Sequence, residues 1–343
     1  MLESKTYRFS FLFLLLILVL VFTLNISSGS VSIPINETIN ALFGGTLQNE
    51  SWSYIIWDYR IPKALTAILV GAGLALSGLL MQTLFRNPLA GPFVLGISSG
   101  ASLGAALLIM GSSVLASFFS FGLINDISLA IAASIGSFLV LMVVISVATK
   151  VKDTMALLII GLMFGSITSA IVSVLSYFTN AEKLQQYIYW SYGSLGNLSW
   201  RQLGLLFALV LAGIFLSILS IKSLNAMLLG ENYARSLGVN MKTSRYLIII
   251  ATGILAGSIT AFAGPIAFVG LAVPHLTRQI FNTTDHRILM PAVLIYGAIL
   301  MLICDTIAQL PTSANVLPIN AVTSIIGAPV VIWLLIRKRK MMF

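Results

Sequence analysis

Acidic side chains within apolar segments are the first place to look for chemistry in this chain. A carboxylate inside a membrane-spanning segment commonly marks a route for protons or ions. Most of the ten Asp and Glu residues, including Glu231 and Asp285, fall in polar stretches or at the ends of apolar ones, and Asp305 alone lies within a long apolar run, close to its end. Coupling to a proton or sodium gradient is therefore disfavoured, although a sodium site built from carbonyl oxygens stays open.

The other reactive side chains form no recognisable site. His275 and His286 stand beside arginines without a third ligand at metal-binding spacing, and the single cysteine, Cys304, lies in the apolar run ILMLICDTIA. The phosphate-binding pattern G-x-x-x-x-G-K-[ST] does not occur, nor does a serine–histidine–aspartate set or a pair of carboxylates. We therefore predict no catalytic residue, no metal site and no cofactor bound by this chain, which is not expected to be an enzyme.

The composition is that of an integral membrane protein. Hydrophobic residues make up 58% of the 343 residues, charged residues only 8%, and the mean hydropathy is +1.02. Soluble domains carry about 25% charged residues, which they need to cover their surface. The net charge of +9 fits basic loops beside a bilayer better than nucleic-acid binding, so lipid is an expected partner and nucleic acid is not.

A helix needs about 20 mostly apolar residues to cross the hydrocarbon layer. This length predicts an all-α fold with about ten membrane-spanning helices in a single polytopic domain, residues 1–343. The predicted spans are 9–27, 62–84, 94–111, 127–148, 155–178, 202–221, 245–262, 266–281, 287–306 and 319–337. The first lacks a small-x-small cleavage site after it and is interpreted as an uncleaved helix rather than a signal peptide.

The basic residues indicate the direction of the chain. With a cytoplasmic N-terminus, 15 of the 19 Lys and Arg residues fall on the cytoplasmic side, Arg337–Lys340 among them. The other four, Arg60, Lys63, Lys183 and Arg201, fall outside. Because positive residues concentrate on the cytoplasmic side, this sorting supports ten spans with both termini in the cytoplasm.

Two polar segments are predicted to contain short helices. Residues 179–201 mix aromatic and polar side chains, which indicates a helix at the outer interface. Residues 222–244 are amphipathic and broken by Gly230 and Gly238, which predicts two short helices on the inner surface. There Glu231 and Arg235 are four residues apart beside apolar side chains, a pattern that suits either a docking surface for a soluble motor or a solvated loop helix.

Glycine spacing and a weak repeat bear on how the helices pack. Gly96, Gly100 and Gly104 share one helix face, where the absence of side chains lets a neighbouring backbone approach. The stretch VGAGLALSGLLMQ followed by GPFVLGISSG is similar to ATGILAGSITAFA followed by GPIAFVGLAVP. Five predicted helices separate the copies, so the similarity predicts an inverted internal repeat of the kind found in transporters.

Several stretches together resemble the FecCD family, the permease subunits of ATP-binding-cassette importers for iron-siderophores, haem and cobalamin. The five motifs occur in the family's order and cover nearly the whole chain after the first helix. They are RIPKALTAILVGAGLALSGLLMQTLFRNPLAGPFVLGISSGASLGA (60–105), LLGENYARSLGV (228–239), GPIAFVGLAVPHLTR (264–278), DHRILMP (285–291) and LPINAVTSIIGAPVVIWLL (317–335).

The resemblance implies a cobalamin-importer-type (type II) permease fold and a set of partners. These are a second, identical permease subunit, two cytoplasmic ATPases that use ATP, and an extracytoplasmic substrate-binding protein. In the family a basic motif pairs with acids of the binding protein, and Arg60 and Lys63 occupy those positions here. A third basic contact of the family is not evident around QLPTSAN, which puts that contact in doubt.

The resemblance also assigns residues on the cytoplasmic side. The family's coupling helices correspond to residues 222–244, and the positions expected to seat in the ATPase are Leu229, Gly230, Glu231, Ala234, Arg235 and Gly238. Its cytoplasmic gate corresponds to the turn of Asn87, Pro88 and Leu89 and, approximately, to the connection that begins at Thr149.

The expected function is that of a homodimeric permease in the bacterial cytoplasmic membrane that moves an iron-chelate, a ferric siderophore in the first place, into the cytoplasm. Haem or cobalamin import is the alternative within the class, because no pathway residue separates these cargoes. An ion-coupled secondary transporter is the alternative from another class, and the lack of buried acids and the inner segment weigh against it.

Overall fold

The described part of the chain is built from helices, without strands. The computed structural model describes residues 2–45, 47, 49–111, 126–148, 154–196, 198–310 and 315–336. Its α-helices are α1 (Leu2–Ser27), α2 (Ile35–Leu42), α3 (Glu50–Tyr54), α4 (Ile61–Leu84), α5 (Ile97–Ile109), α6 (Asp126–Ala148), α7 (Thr154–Phe178), α8 (Ala181–Ser191), α9 (Trp200–Leu219), α10 (Ile221–Leu228), α11 (Glu231–Ser236), α12 (Met241–Ala263), α13 (Val269–Phe281), α14 (His286–Ala308) and α15 (Ile319–Ile336). The all-α prediction is confirmed for these residues.

Seven helical stretches among the described residues are long and apolar enough to cross a membrane. They are Tyr7–Ser27, Glu50–Leu84, Ile127–Val147, Ala156–Phe178, Trp200–Leu219, Met241–Ala263 and His286–Ala308. Each overlaps a span expected from the sequence, so seven of the ten predicted positions are confirmed.

The second of these stretches begins earlier than the sequence predicts. The expected start was residue 62, but α3 and a π-helical segment, Ile55–Arg60, precede α4 without a break. Pro62 explains the π turn, because it has no N–H to donate to the carbonyl four residues back. The wider π turn just before it absorbs this, and the N–H of Ile61 donates to the carbonyl of Ile56 instead.

Two predicted spans are shorter in the structure. The predicted span 94–111 starts within a short 3₁₀ turn, Pro92–Leu95, and continues in α5, while 266–281 contains α13; both helices have 13 residues. Each starts after a residue in the left-handed region, Gly96 at φ 71° and Phe268 at φ 66°, and this breaks the helix. The last predicted span, 319–337, corresponds to α15, which has 18 residues up to the end of the described part of the chain. The matching start of α5 and α13 agrees with the repeat in the sequence.

The chain divides into two compact units. The first comprises Met1–Leu76, Ser194–Ala208 and Ala267–Met342. In it α1 packs on α14, and Leu14, Ala292 and Ile299 are buried in one cluster with Phe281 of α13. A Cβ at Gly71 of α4 would lie 2.2 Å from the carbonyl oxygen of Gly297 in α14, so these two helices touch backbone to backbone.

The second unit comprises Ser77–Gly193 and Leu209–Ile266, with Phe343. Here α5 lies against α6, and small buried side chains, Ala101, Ala133 and Ala261, form a cluster beside Trp190. A second cluster joins the end of α5 to α7 and α8 through Ile109, Val172 and Leu184. Small residues at the crossings let these helices approach closely.

The short helices predicted in the two polar segments are present, while their places at the outer interface and on the inner surface stay predictions. Residues 181–191 form α8, whose first turn is capped by the side chain of Asn180, and residues 221–236 contain α10 and α11. Gly230 and Gly238 end these helices with φ of 104° and 82°, values that residues with a Cβ rarely adopt.

Candidate functional site

Arg60 lies at the predicted outer end of α4 and is 9% exposed. Its Nη1 donates to the carbonyl oxygens of Ile26 and Ser27 at 2.7 and 2.9 Å, and its Nη2 donates to the carbonyl of Val31. The carbonyls at a helix C-terminus have no partner within the helix, so the guanidinium satisfies the end of α1. In this chain Arg60 therefore holds the α1 terminus, and its contact with a binding protein stays a prediction.

Lys63, one turn further along α4, forms an ion pair inside the first unit. Its Nζ lies 3.1 Å from Oδ1 of Asp305 in α14, and the Asp305 side chain is 3% exposed. The other carboxylate oxygen accepts hydrogen bonds from Asn25 Nδ2 at 2.9 Å and from Gln309 Nε2 at 2.7 Å. The carboxylate thus ties α1, α4 and α14 together. A buried charge held by three donors is neutralised in place, which fits a structural role better than ion coupling.

A cavity of about 340 Å³ opens beside these groups. Arg60, Lys63 and Gln309 line it together with Tyr59 and Gly196. Because Lys63 is paired with Asp305, the net positive charge at the cavity is that of Arg60, which attracts an acidic group and speeds its approach. The structure brings the two sequence-predicted basic residues to one opening together with Gln309, which the sequence did not single out. Asn25 contributes only through its bond to Asp305.

The predicted coupling segment presents an apolar surface with a buried anchor. Leu229 is 63% exposed, and Tyr233 and Leu237 are exposed as well, while Ala234 is fully buried. Exposed large apolar side chains grouped on one short segment are typical of a protein contact. Gly230 and Gly238 lie on either side of α11, so all six predicted coupling residues lie on or beside this helix.

Glu231 joins this segment to a membrane-spanning helix. Its carboxylate lies 2.5 Å from Nη2 of Arg245 in α12, whose side chain is 10% exposed, and 3.9 Å from Nη2 of Arg235. The sequence predicts the second contact, four residues apart on one helix, but not the first, because Arg245 lies beyond the loop. Charge-assisted hydrogen bonds of this length are among the stronger polar contacts in proteins. A displacement of α11 would therefore be passed to α12.

The Glu231→Gln substitution is expected to lower the free energy of unfolding by about 1.5–3 kcal/mol, because it removes the charge-assisted bond between α11 and α12. The same loss is expected for Arg245→Gln, whereas Arg235→Gln costs less, since that pair is long and exposed. The free energy of unfolding is measured in detergent micelles. Glu182→Gln, an exposed acid of α8, is the control, and equal effects of the Arg235 and Arg245 changes would contradict the assignment.

The predicted gate turn has a defined geometry. Asn87 Oδ1 accepts a hydrogen bond from the N–H of Leu89 at 2.9 Å, and the N–H of Asn87 donates to the carbonyl of Gln82. Arg86, just before it, takes a left-handed conformation with φ 46°, and Pro88 follows. The asparagine side chain thus closes the turn after α4. Thr149, the other predicted gate residue, lies outside the described residues, so the gate stays a prediction.

The glycines predicted for packing lie against backbone. A Cβ at Gly100 would lie 2.5 Å from the carbonyl oxygen of Gly136, and one at Gly104 would lie 2.1 Å from that of Ala132, both in α6. At Gly96 the nearest atom is the carbonyl oxygen of Gly161 in α7, at 3.1 Å. Three turns of one face thus pack on two neighbouring helices.

Comparison with known proteins gives consistent matches. Residues 16–337 match the FecCD transport family. The vitamin B12 import system permease protein BtuC of Klebsiella pneumoniae subsp. pneumoniae is 41% identical over 285 residues, 83% of each chain. The Salmonella typhi protein of the same name is 38% identical over 286 residues, which are 83% of this chain and 84% of that one.

Solved structures are similar over most of the chain. A metal-chelate type ABC transporter in an inward-facing conformation matches with a TM-score of 0.81 and 32% identity, covering 94% of this chain and 97% of that one. PsaBC from Streptococcus pneumoniae, at 15% identity and a TM-score of 0.55, shares the fold. The two alignments cover 94% and 88% of this chain, far more than the cavity beside Arg60 and Lys63 or the glycines that pack against α6 and α7.

Proposed function

The chain belongs to the FecCD transport family, and from this premise we propose that it is the permease subunit of an ATP-driven importer whose cargo is a cobalamin-type metal chelate. The observation that carries the proposal is the similarity to two B12 permeases over more than four fifths of the chain. ATP hydrolysis belongs to a separate subunit. The names of these relatives favour cobalamin over the ferric siderophore expected from the sequence, which remains the alternative cargo together with haem.

The proposal includes a membrane topology and an assembly. Ten spans, an inverted repeat and two cytoplasmic termini make up the topology. In the assembly, two identical permease chains contact two ATPases through α10 and α11 and meet a binding protein on the outer side. The exposed Leu229, Tyr233 and Leu237 support the first contact, and the cations at the outer cavity support the second.

Ion coupling receives no support from the described residues. Asp305, the one acid near the end of a span in the sequence, is held by Lys63, Asn25 and Gln309. A carboxylate that cycles protons or sodium needs access to the pathway rather than permanent pairing. An ATP-driven mechanism is consistent with this arrangement.

The experiment is uptake into proteoliposomes that contain this chain, its cognate ATPase and the binding protein encoded beside it. Cyanocobalamin, haemin and a ferric siderophore are offered in parallel, with and without ATP. We expect ATP-dependent uptake of cyanocobalamin that persists in the presence of an ionophore. Uptake of a ferric siderophore but not of cyanocobalamin would replace the proposed cargo, and uptake without ATP that the ionophore abolishes would refute the ATP-driven class.

A further inference from the structure

The second unit contains a cavity of about 390 Å³ whose lining is dominated by hydroxyl groups. Ser98, Ser99 and Ser102 come from α5, and Thr168, Ser169 and Ser173 come from α7. Tyr187 of α8 supplies a seventh hydroxyl, and the described residues that line the cavity carry no charge. Serines three and four apart share a helix face, so two facing helices present their hydroxyls to one space.

Four of the seven hydroxyl protons are engaged within the protein. Thr168 Oγ1 donates to the carbonyl of Gly165 and Ser173 Oγ donates to that of Ser169, each at 2.9 Å. Thr260 Oγ1 donates to the carbonyl of Ala256 at 2.7 Å, so in its 3.3 Å contact with Ser98 it is the serine that donates. A hydroxyl has one proton and two lone pairs. At Thr168, Ser173 and Ser98, what remains for a ligand is therefore acceptor capacity.

The third side of the cavity is held in place by an aromatic pair. Tyr187 Oη lies 2.5 Å from Ser102 Oγ, and its ring stacks on Trp190 with the centroids 6.2 Å apart. Leu184, about one helical turn before Tyr187, packs against the buried end of α5. Positioned acceptors on rigid elements bind a donor with less loss of entropy than mobile ones do.

We propose that this cavity transiently binds the side arms of the cargo that carry N–H groups while the cargo passes through the protein. Among such groups, a primary carboxamide fits best. The inference rests on the proposed function. Pockets for whole drug-sized ligands span about 300–1,000 Å³, so 390 Å³ admits the arms of a large chelate and not the whole molecule. Neutral acceptors without a buried charge bind weakly, which allows release toward the next site.

Acceptor-rich lining also discriminates between cargoes. At a hydroxyl oxygen whose proton is already engaged, a carboxamide N–H gains a hydrogen bond, whereas a carboxylate or catecholate oxygen meets lone pairs and loses its hydration. At such oxygens, cargo with amide arms is favoured over cargo whose surface offers anionic oxygens. This property belongs to Ser173, whose proton is donated to the carbonyl of Ser169 and whose side chain is exposed, more than to the buried Thr168.

The test is the uptake of two matched cargoes by a single variant. Ser173→Ala removes an acceptor whose proton is already engaged, and we expect kcat/KM for cyanocobalamin to fall about 3- to 10-fold, since a hydrogen bond contributes about 0.5–1.5 kcal/mol. A cobalamin derivative whose peripheral amides are hydrolysed to carboxylates is expected to show no such fall. The control is Ser166→Ala/Ser176→Ala, two hydroxyls of α7 outside the lining that also bond to their own helix, and it should match the wild type.

A second readout does not depend on turnover. Ser173→Cys in a Cys304→Ala background provides one thiol at the cavity, and cyanocobalamin is expected to slow its alkylation by a water-soluble maleimide at least threefold. Equal losses for both cargoes, or no change in kcat/KM and no protection, would overturn the inference. If the wild type carries no cyanocobalamin, the proposed function fails and the inference with it; if it does and both variants behave like wild type, the inference alone fails.

Discussion

Replacing Asp305 by alanine is expected to destabilise the protein by about 3 kcal/mol, because the change leaves the partly buried Lys63 cation and the buried Gln309 amide without their acceptor and takes one of three acceptors from Asn25. Lys63 Nζ, Asn25 Nδ2 and Gln309 Nε2 all bond to this one carboxylate, at distances between 2.7 and 3.1 Å. The Lys63 side chain is 20% exposed, so water partly solvates the ammonium group after its partner is removed. The expected loss of stability is therefore at the lower end of the range of about 3–5 kcal/mol for a broken buried pair.

The measurement is the free energy of unfolding in detergent micelles, together with uptake in vesicles. The double variant Lys63→Met/Asp305→Leu removes both charges at similar volume and should be closer to wild type than Asp305→Ala is, since a buried pair is often replaced by apolar groups at little cost. Asp58→Ala, an exposed acid of the segment before α4, serves as the surface control. If Asp305→Ala proves as mild as Asp58→Ala, the carboxylate does not hold the three helices together.

The Gly104→Ala substitution is expected to cost about 2–3 kcal/mol, at the upper end for overpacked cores. The added Cβ would lie 2.1 Å from the carbonyl oxygen of Ala132 and 3.3 Å from the Cα of Ala133, both backbone atoms that no side-chain rotation can move. Helices α5 and α6 would have to separate. Because Ser98, Ser99 and Ser102 lie on α5, the hydroxyl cavity would be displaced as well, and uptake should fall together with stability.

The matched control is Gly204→Ala in α9, where a Cβ meets nothing within 4 Å. Alanine is the better helix former by about 0.8–1 kcal/mol, so this variant should be as stable as the wild type or slightly more stable. Thermal unfolding in detergent compares the two. Equal stability of both variants would show that α5 and α6 do not depend on direct backbone contact.

The positions of the helices follow from local sequence, and so do some of their breaks. Hydropathy over about 20 residues locates the seven long helical stretches, and Gly230 and Gly238 place the ends of α10 and α11. The sequence indicates that the span containing α13 is short, but it does not indicate the break at Phe268, because aromatic residues rarely adopt a left-handed conformation. The Phe268 side chain fits beside α15 because residue 327 is a glycine; a Cβ at that position would lie only 2.4 Å from Phe268 Cβ. This local conformation depends on a neighbour distant in the chain.

The candidate sites show the same division. Arg60, Lys63, Glu231 and Arg235 could be singled out by type and by family resemblance, but their partners could not. Arg60 binds carbonyls of another helix and Lys63 meets an acid near the other end of the chain, and no periodicity encodes such pairings. A signal existed for Arg245, a basic residue at the start of a span just after the acidic segment, but only packing shows which acid it meets.

By itself the sequence determined that this protein is an all-helical membrane protein of the FecCD transport family, because apolar length, charge distribution and motif order are all local properties of the chain. The tertiary structure alone decided which helix faces meet. That decision joined Asp305 to Lys63, joined Glu231 to Arg245, and grouped the serines of α5 and α7 around one cavity. The physical reason is that such contacts depend on how each helix is rotated and how closely its neighbour packs, which is decided by long-range contacts such as those of Gly100 and Gly104.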